Sequence, residues 1–143
     1  MITVTPPIRG TDKWGNGGYL ASRGSRTHKG IDFACYPGST ILAGCVGNVT
    51  KIGFPYDPTD PQKGHLRYVQ INDLGGFDVR YFYIEPCVEV GVFVVPGMEI
   101  GKLQDLGKVY PGITPHFHFE IKKGGKFVNP HQYFERRATE TLS

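Results

Sequence analysis

From Ile31 onward, short runs rich in Val, Ile and aromatic residues recur between Gly or Pro punctuation: Ser39 to Ala43, Gly47 to Gly53, Arg67 to Asn72, Phe77 to Ile84, Val92 to Val95 and His116 to Ile121. Runs of this length and composition, separated by turn residues, predict an all-β fold built as an antiparallel sheet or sandwich. Residues 1–27 have few periodic apolar positions and hold Trp14, Gly15, Gly17 and Gly18. They read as loop-rich, with 1–16 as a lead-in that covers an edge of the sheet. Phe54 to Leu66 carries Pro55, Pro58, Pro61 and Gly64, too many breakers for a central strand, and predicts a long surface loop. Such a loop borders a binding site or is a harmless insertion; both readings stand at this point. The tail from Asn129 to Ser143 predicts one short helix around His131 to Arg137 and a frayed end over 138–143.

Composition agrees with the pattern. The 143 residues, 39% hydrophobic and 20% charged, suit one domain over 1–143 with one core, and 20 Gly and 11 Pro disfavour long helices. The formal charge of +3 is slight and its basic residues are scattered apart from groups such as Lys122, Lys123 and Lys126, which argues against nucleic-acid partners. No apolar stretch approaches the roughly 20 residues of a spanning helix, and Met1 to Gly10 lacks a Sec-type signal. Cys35, Cys45 and Cys87 are odd in number and lack a CxxC spacing, so they read as buried free thiols.

The polar residues that carry chemistry fall in two places, His28 with Asp32 in HKGID and His116 with His118 in HFHFEI. Residues two or four apart on an extended segment share a face, so each pair can present both groups to one point while Phe117 and Phe119 pack into the core. Zinc takes imidazole and carboxylate ligands, and a catalytic zinc keeps one position for water; two His and one Asp meet that count. Alternating His on a strand is equally compatible with ordinary surface. His65 and His131, in a loop and in the terminal helix, read as solvated.

Several ordered segments resemble the M23, or lysostaphin-like, zinc metallopeptidases. Arg26-Thr-His-Lys-Gly-Ile-Asp32 is similar to the family's HxGxD segment, Pro37 to Ala43 and Gly47 to Val49 to its next two strands, and Val95 to Gly101 to its later hairpin. His116-Phe-His-Phe-Glu120 resembles its HxHFE signature, followed by Asn129-Pro130. The resemblance implies His28, Asp32 and His118 as zinc ligands, His116 as the catalytic histidine beside them, and hydrolysis of short, often glycine-containing peptides of bacterial peptidoglycan. Active members usually carry a second histidine in a Tyr-x-His-Leu segment, whereas here Tyr83 stands at that place in Tyr81-Phe82-Tyr83-Ile84. A phenol with an ordinary pKa near 10 is a poor base at pH 7 but a competent hydrogen-bond donor to an oxyanion.

Phe82 to Pro86 and Lys108 to Ile113 resemble the leukocyte-cell-derived chemotaxin branch of the same family, whose members keep the zinc ligands and are regarded as secreted signalling proteins without peptidase activity. The lack of a Sec signal, and of a cysteine upstream of Cys35, points away from a vertebrate cytokine. Three functional expectations follow. One is a cell-wall endopeptidase, made in the cytoplasm and reaching the wall by lysis, by a phage particle or by another export route. The second is a zinc-stabilised module that binds wall peptides or docks in a phage tail-like assembly, and the third is an empty scaffold. Tyr110 and the turn at Pro111-Gly112, with the Phe54 to Leu66 loop, are expected to wall the groove.

Overall fold

The structure, a computed structural model, describes residues 8–10, 12, 15–19, 21–23 and 26–133. Twelve strands occur among them, in chain order β1 Ser22–Arg23, β2 Arg26–Thr27, β3 Ile31–Ala34, β4 Thr40–Leu42, β5 Gly47–Gly53, β6 Tyr68–Asp73, β7 Asp78–Phe82, β8 Ile84–Pro86, β9 Phe93–Val94, β10 Glu99–Leu103, β11 His116–Lys123 and β12 Lys126–Val128. The main sheet runs β12-β11-β7-β6-β5-β9 with β3 also paired to β11, and β4-β10-β8 form a second sheet. Every pairing is antiparallel, as the strand spacing predicts.

Alternation of side chains decides which face of the main sheet is core. Phe33 of β3, Phe117, Phe119 and Ile121 of β11, Val79 and Tyr81 of β7, and Val69 and Ile71 of β6 pack together with Ile41, Ile84, Ile100 and Leu103 of the smaller sheet. Phe33 meets Phe117 at a centroid distance of 5.3 Å, and Tyr81 meets Phe119 edge-on at 5.1 Å. The Tyr81 hydroxyl, buried in this layer, accepts the Gly44 N–H at 2.9 Å. The opposite face of β3, β11 and β7 carries Asp32, His116, His118, Glu120, Arg80 and Phe82.

The free edge of β3 is covered by the lead-in, as expected. Arg9 donates its N–H to the Asp32 carbonyl at 2.7 Å, and Asp32 donates its own to Gly17 at 2.9 Å. A Cβ on Gly17 would meet the Arg9 Cβ at 2.6 Å, so glycine is needed for this close approach. Trp14 lies outside the described residues.

Four expectations are corrected. The run from Phe77 to Ile84 is broken at Tyr83, whose φ of 74° ends β7 and sends the chain into the second sheet as β8. The 1–27 segment holds the β1–β2 hairpin as well as loops. Glu99–Leu103 is a strand at the centre of the smaller sheet, where the sequence suggests only part of a hairpin. Of the free thiols only Cys45 is buried, Cys35 being half-buried and Cys87 exposed. Burial pushes the Cys35 thiol up to about 11. Alkylation with iodoacetamide at pH 8 is therefore expected to modify Cys87 first and Cys35 at least about tenfold more slowly, because the thiolate is the nucleophile; equal rates in a mass-spectrometric time course would contradict this burial.

The loop between β5 and β6 is internally knitted. Asp57 Oδ1 accepts the Thr59 N–H, Asp60 Oδ1 accepts those of Gln62 and Lys63, and Leu66 is fully buried at its end. His65 and His131 are exposed, in line with their solvated reading; residues 130–133 are helical, and the rest of the stretch to Arg137 where a short helix is expected lies outside the described residues. Among the described residues no helix is long and apolar enough to cross a membrane.

Candidate metal centre

Strand register builds the site. His118 faces Asp32 across the β11–β3 ladder and Phe82 across the β11–β7 ladder, while Glu120 faces Arg80. One row of the sheet therefore carries Asp32, His118 and Phe82, and the next carries the ion pair. His28 reaches the row differently from the extended geometry expected of it, since it precedes β3 and the chain bends at Gly30. That bend brings backbone so near β11 that a Cβ on Gly30 would lie 2.2 Å from the Phe119 carbonyl oxygen and 2.9 Å from His118 Cε1.

Three donor atoms converge. His28 Nε2 lies 3.0 Å from His118 Nδ1 and 3.1 Å from Asp32 Oδ1, and His118 Nδ1 lies 2.9 Å from Asp32 Oδ1. Zinc bonds of about 2.0–2.1 Å in a tetrahedron place neighbouring ligand atoms roughly 3.3 Å apart, so the triangle fits a zinc ion after opening by a few tenths of an ångström. Each imidazole is oriented by its other nitrogen. His28 Nδ1–H donates to the Gly18 carbonyl at 2.9 Å, and His118 Nε2–H donates to Glu120 Oε1 at 2.9 Å. Arg80 Nη1 in turn donates to Glu120 Oε2 at 3.0 Å. Such partners fix the tautomer that leaves the facing nitrogen free for a metal.

The charges are mutually supporting. Burial acts to raise the Asp32 pKa, but hydrogen bonds from His118 and His28 and the nearby His116 outweigh it and hold the carboxyl well below the usual range. For His118 burial acts to lower the pKa, yet the bonds to Asp32 and Glu120 prevail and raise it to about 9 without a metal. His116 differs. Burial is its largest influence and leaves its pKa below the ordinary value, so the ring is neutral at pH 7. Its Nδ1–H donates to the Thr114 carbonyl at 2.7 Å, and Nε2 lies 3.4 Å from Asp32 Oδ2.

These groups line a cleft of about 520 Å³ that also contains Tyr83, Tyr56 and Tyr110. The Tyr83 ring stands edge-on to His116 at 5.8 Å. Burial, with the neighbouring Tyr56 next, pushes the Tyr83 pKa well above 10, so its hydroxyl stays protonated at neutral pH. Tyr110 is in the wall of the cleft, where the sequence placed it, and so is the loop, through Pro55 and Tyr56.

Four contributors escape the sequence reading. Glu120 had a usable signal, being the third polar residue of the alternation His116, His118, Glu120. Arg80, Tyr56 and Arg9 had none, since strand register or loop path alone brings them here. Arg9 is buried, with its Nε 3.6 Å from Asp32 Oδ2.

Two imidazoles and a carboxylate thus converge at one point above the sheet in a group able to hold a metal ion, with a third imidazole, that of His116, beside them. Residues 26–130 match the family described as Peptidase family M23, and the chain belongs to that family. Over 113 residues it is 36% identical to leukocyte cell-derived chemotaxin-2 of Bos taurus, an alignment covering 79% of this chain and 72% of that protein. Its fold is shared with the catalytic domain of the antimicrobial peptidase lysostaphin from Staphylococcus simulans, with a TM-score of 0.63 and 21% identity over 85% of this chain and 89% of that one. A zinc containing peptidase from Vibrio cholerae superposes with a TM-score of 0.58 and 22% identity over 87% of this chain and 39% of that one. At these identities the two structures speak to the fold alone.

Proposed function

We propose that this chain is a zinc-dependent endopeptidase acting on peptides of bacterial cell-wall peptidoglycan, with His28, Asp32 and His118 as the metal ligands. The observation that carries this reading is the triangle of donor atoms 2.9 to 3.1 Å apart at one wall of an open cleft. Zinc held there supplies a Lewis acid for the scissile carbonyl and brings the pKa of a water to about 7.

The protein's own groups divide the remaining work. Neutral His116 takes the proton of the attacking water on Nε2, with its Nδ1–H kept on Thr114, and returns it to the departing amine. Tyr83 keeps its proton and donates a hydrogen bond from its hydroxyl to the carbonyl oxygen as negative charge develops. The aromatic walls suit a flat, glycine-rich peptide, and the site of action on this reading is the cell wall. Family membership supports the assignment.

Glu120 orients His118, so Glu120→Ala is expected to weaken zinc affinity by roughly 10- to 100-fold while leaving the fold intact. Competition against a chromophoric chelator measures this, and an unchanged affinity would remove Glu120 from the account.

Tyr83 favours a second reading, because a phenol stands where a base usually does. On that reading the chain is a zinc-bearing module that binds wall peptides without turnover, or docks in a phage tail-like assembly. The test is mass spectrometry of fragments released from a panel of purified peptidoglycans by the zinc-loaded protein. Release by the parent supports the peptidase. Silence from the parent with release by Tyr83→His supports the binding module.

A further inference from the structure

The cleft holds three phenols from segments remote in sequence. Tyr56 comes from the loop after β5, Tyr83 from the break between β7 and β8, and Tyr110 from just beyond a 3-10 turn at Leu106–Lys108. Tyr110 Oη donates to Tyr56 Oη at 2.8 Å, and Tyr56 Oη lies 3.5 Å from Tyr83 Oη. Each phenol has one proton to give. Either hydroxyl can donate across the Tyr56–Tyr83 contact, and with the Tyr110 proton on the Tyr56 oxygen the Tyr56 proton is available to the Tyr83 oxygen. In that arrangement the Tyr83 proton is left for the cleft that its ring lines beside His116.

Other features hold the row in place. The Tyr83 backbone is pinned on both sides, its N–H donating to the Arg67 carbonyl at 2.7 Å and its carbonyl accepting the Gln104 N–H at 2.8 Å. Lys63, from the same knitted loop as Tyr56, sets its ammonium 5.2 Å from the Tyr56 ring centre and 5.3 Å from that of Tyr110. A cation shared by two rings holds them together. Hydrogen bonds in a row polarise one another, so each proton upstream strengthens the last.

From this geometry we infer that Tyr56 and Tyr110 are positioning residues: they orient the Tyr83 hydroxyl so that its proton is presented to the substrate's developing oxyanion. The inference rests on the peptidase reading above and gives the proline-rich loop a role in catalysis. It also accounts for the aromatic side chain at a strained backbone position, since only the left-handed turn at Tyr83 lets the ring leave β7 and meet the other two hydroxyls.

The experiment is a double-mutant cycle of Tyr56→Phe and Tyr83→Phe on the zinc-loaded protein. It is read by kcat on a glycine-rich wall peptide and by calorimetric affinity for a phosphinic pseudopeptide of glycine, a tetrahedral mimic that needs no turnover. Tyr56→Phe alone is expected to lower kcat and mimic affinity by roughly three- to tenfold, the worth of one ordinary hydrogen bond, with KM changed less than about twofold. In the Tyr83→Phe background the same substitution is expected to change either quantity by less than about twofold, because the group it positions is gone.

Equal losses in both backgrounds would overturn the inference while leaving the peptidase reading standing. A parent that binds the mimic without cleaving is still tested by the affinity cycle. A parent that neither cleaves peptide nor binds the mimic would overturn the inference together with the reading beneath it. Thermal midpoints of the four proteins separate a general structural loss, which would follow Tyr56→Phe equally in both backgrounds, from the loss confined to the parent.

Discussion

Alanine at His118 is expected to lower zinc affinity by two to three orders of magnitude and to abolish peptide release. The side chain supplies one corner of the donor triangle, with Nδ1 within 3.0 Å of His28 Nε2 and 2.9 Å from Asp32 Oδ1. Structural zinc sites contribute about 10–16 kcal/mol through four ligands, so one ligand is worth roughly 2.5–4 kcal/mol. At 1.4 kcal/mol per tenfold that becomes two to three decades. The fold should survive, because Phe117 and Phe119 on the other face of β11 keep their packing. A zinc titration against a competing chelator, with circular dichroism as the control for folding, checks both halves of the expectation. Retention of parental affinity would mean that the metal, if bound, sits elsewhere.

The second large effect is on stability. Gly30→Ala is expected to destabilise the protein by about 3 kcal/mol, near the upper end of overpacking costs. The added methyl would fall 2.2 Å from the Phe119 carbonyl oxygen, a backbone atom of β11 that cannot swing away as a side-chain tip would. Relief requires β3 and β11 to separate, and those strands carry Asp32 and His118 opposite each other. For a chain of this size such a loss lowers the thermal midpoint on the order of 10 °C. Zinc affinity should fall with it, because the donor triangle opens. A variant as stable as the parent would show that the bend at Gly30 is loose and that glycine there reflects no steric need.

The two halves of the site were legible in the sequence to different degrees. His116 and His118 could be read because a period of two on a strand is written directly in the residue order, with Phe117 and Phe119 marking the buried face. His28 and Asp32 were found by spacing, but they converge through a bend at Gly30, not through an extended segment. The antiparallel class followed from turn spacing, whereas the order of the strands and the break at Tyr83 did not. An aromatic residue with positive φ goes against local preference, and only the tertiary structure selects it. Arg80 against Glu120, and Tyr56 against Tyr110, depend on register and on the path of a loop, neither of which local patterns encode. The proline-rich segment was recognisable from its breakers as a loop, and its place in the cleft wall was expected, but its hydrogen-bonded interior was not.

Zinc K-edge X-ray absorption on protein purified without chelators tests the proposed centre most directly. The account predicts one zinc per chain, surrounded only by nitrogen and oxygen at about 2.0–2.1 Å with the scattering pattern of two imidazoles. A zinc content far below one per chain, or sulfur neighbours at about 2.3 Å, would contradict it.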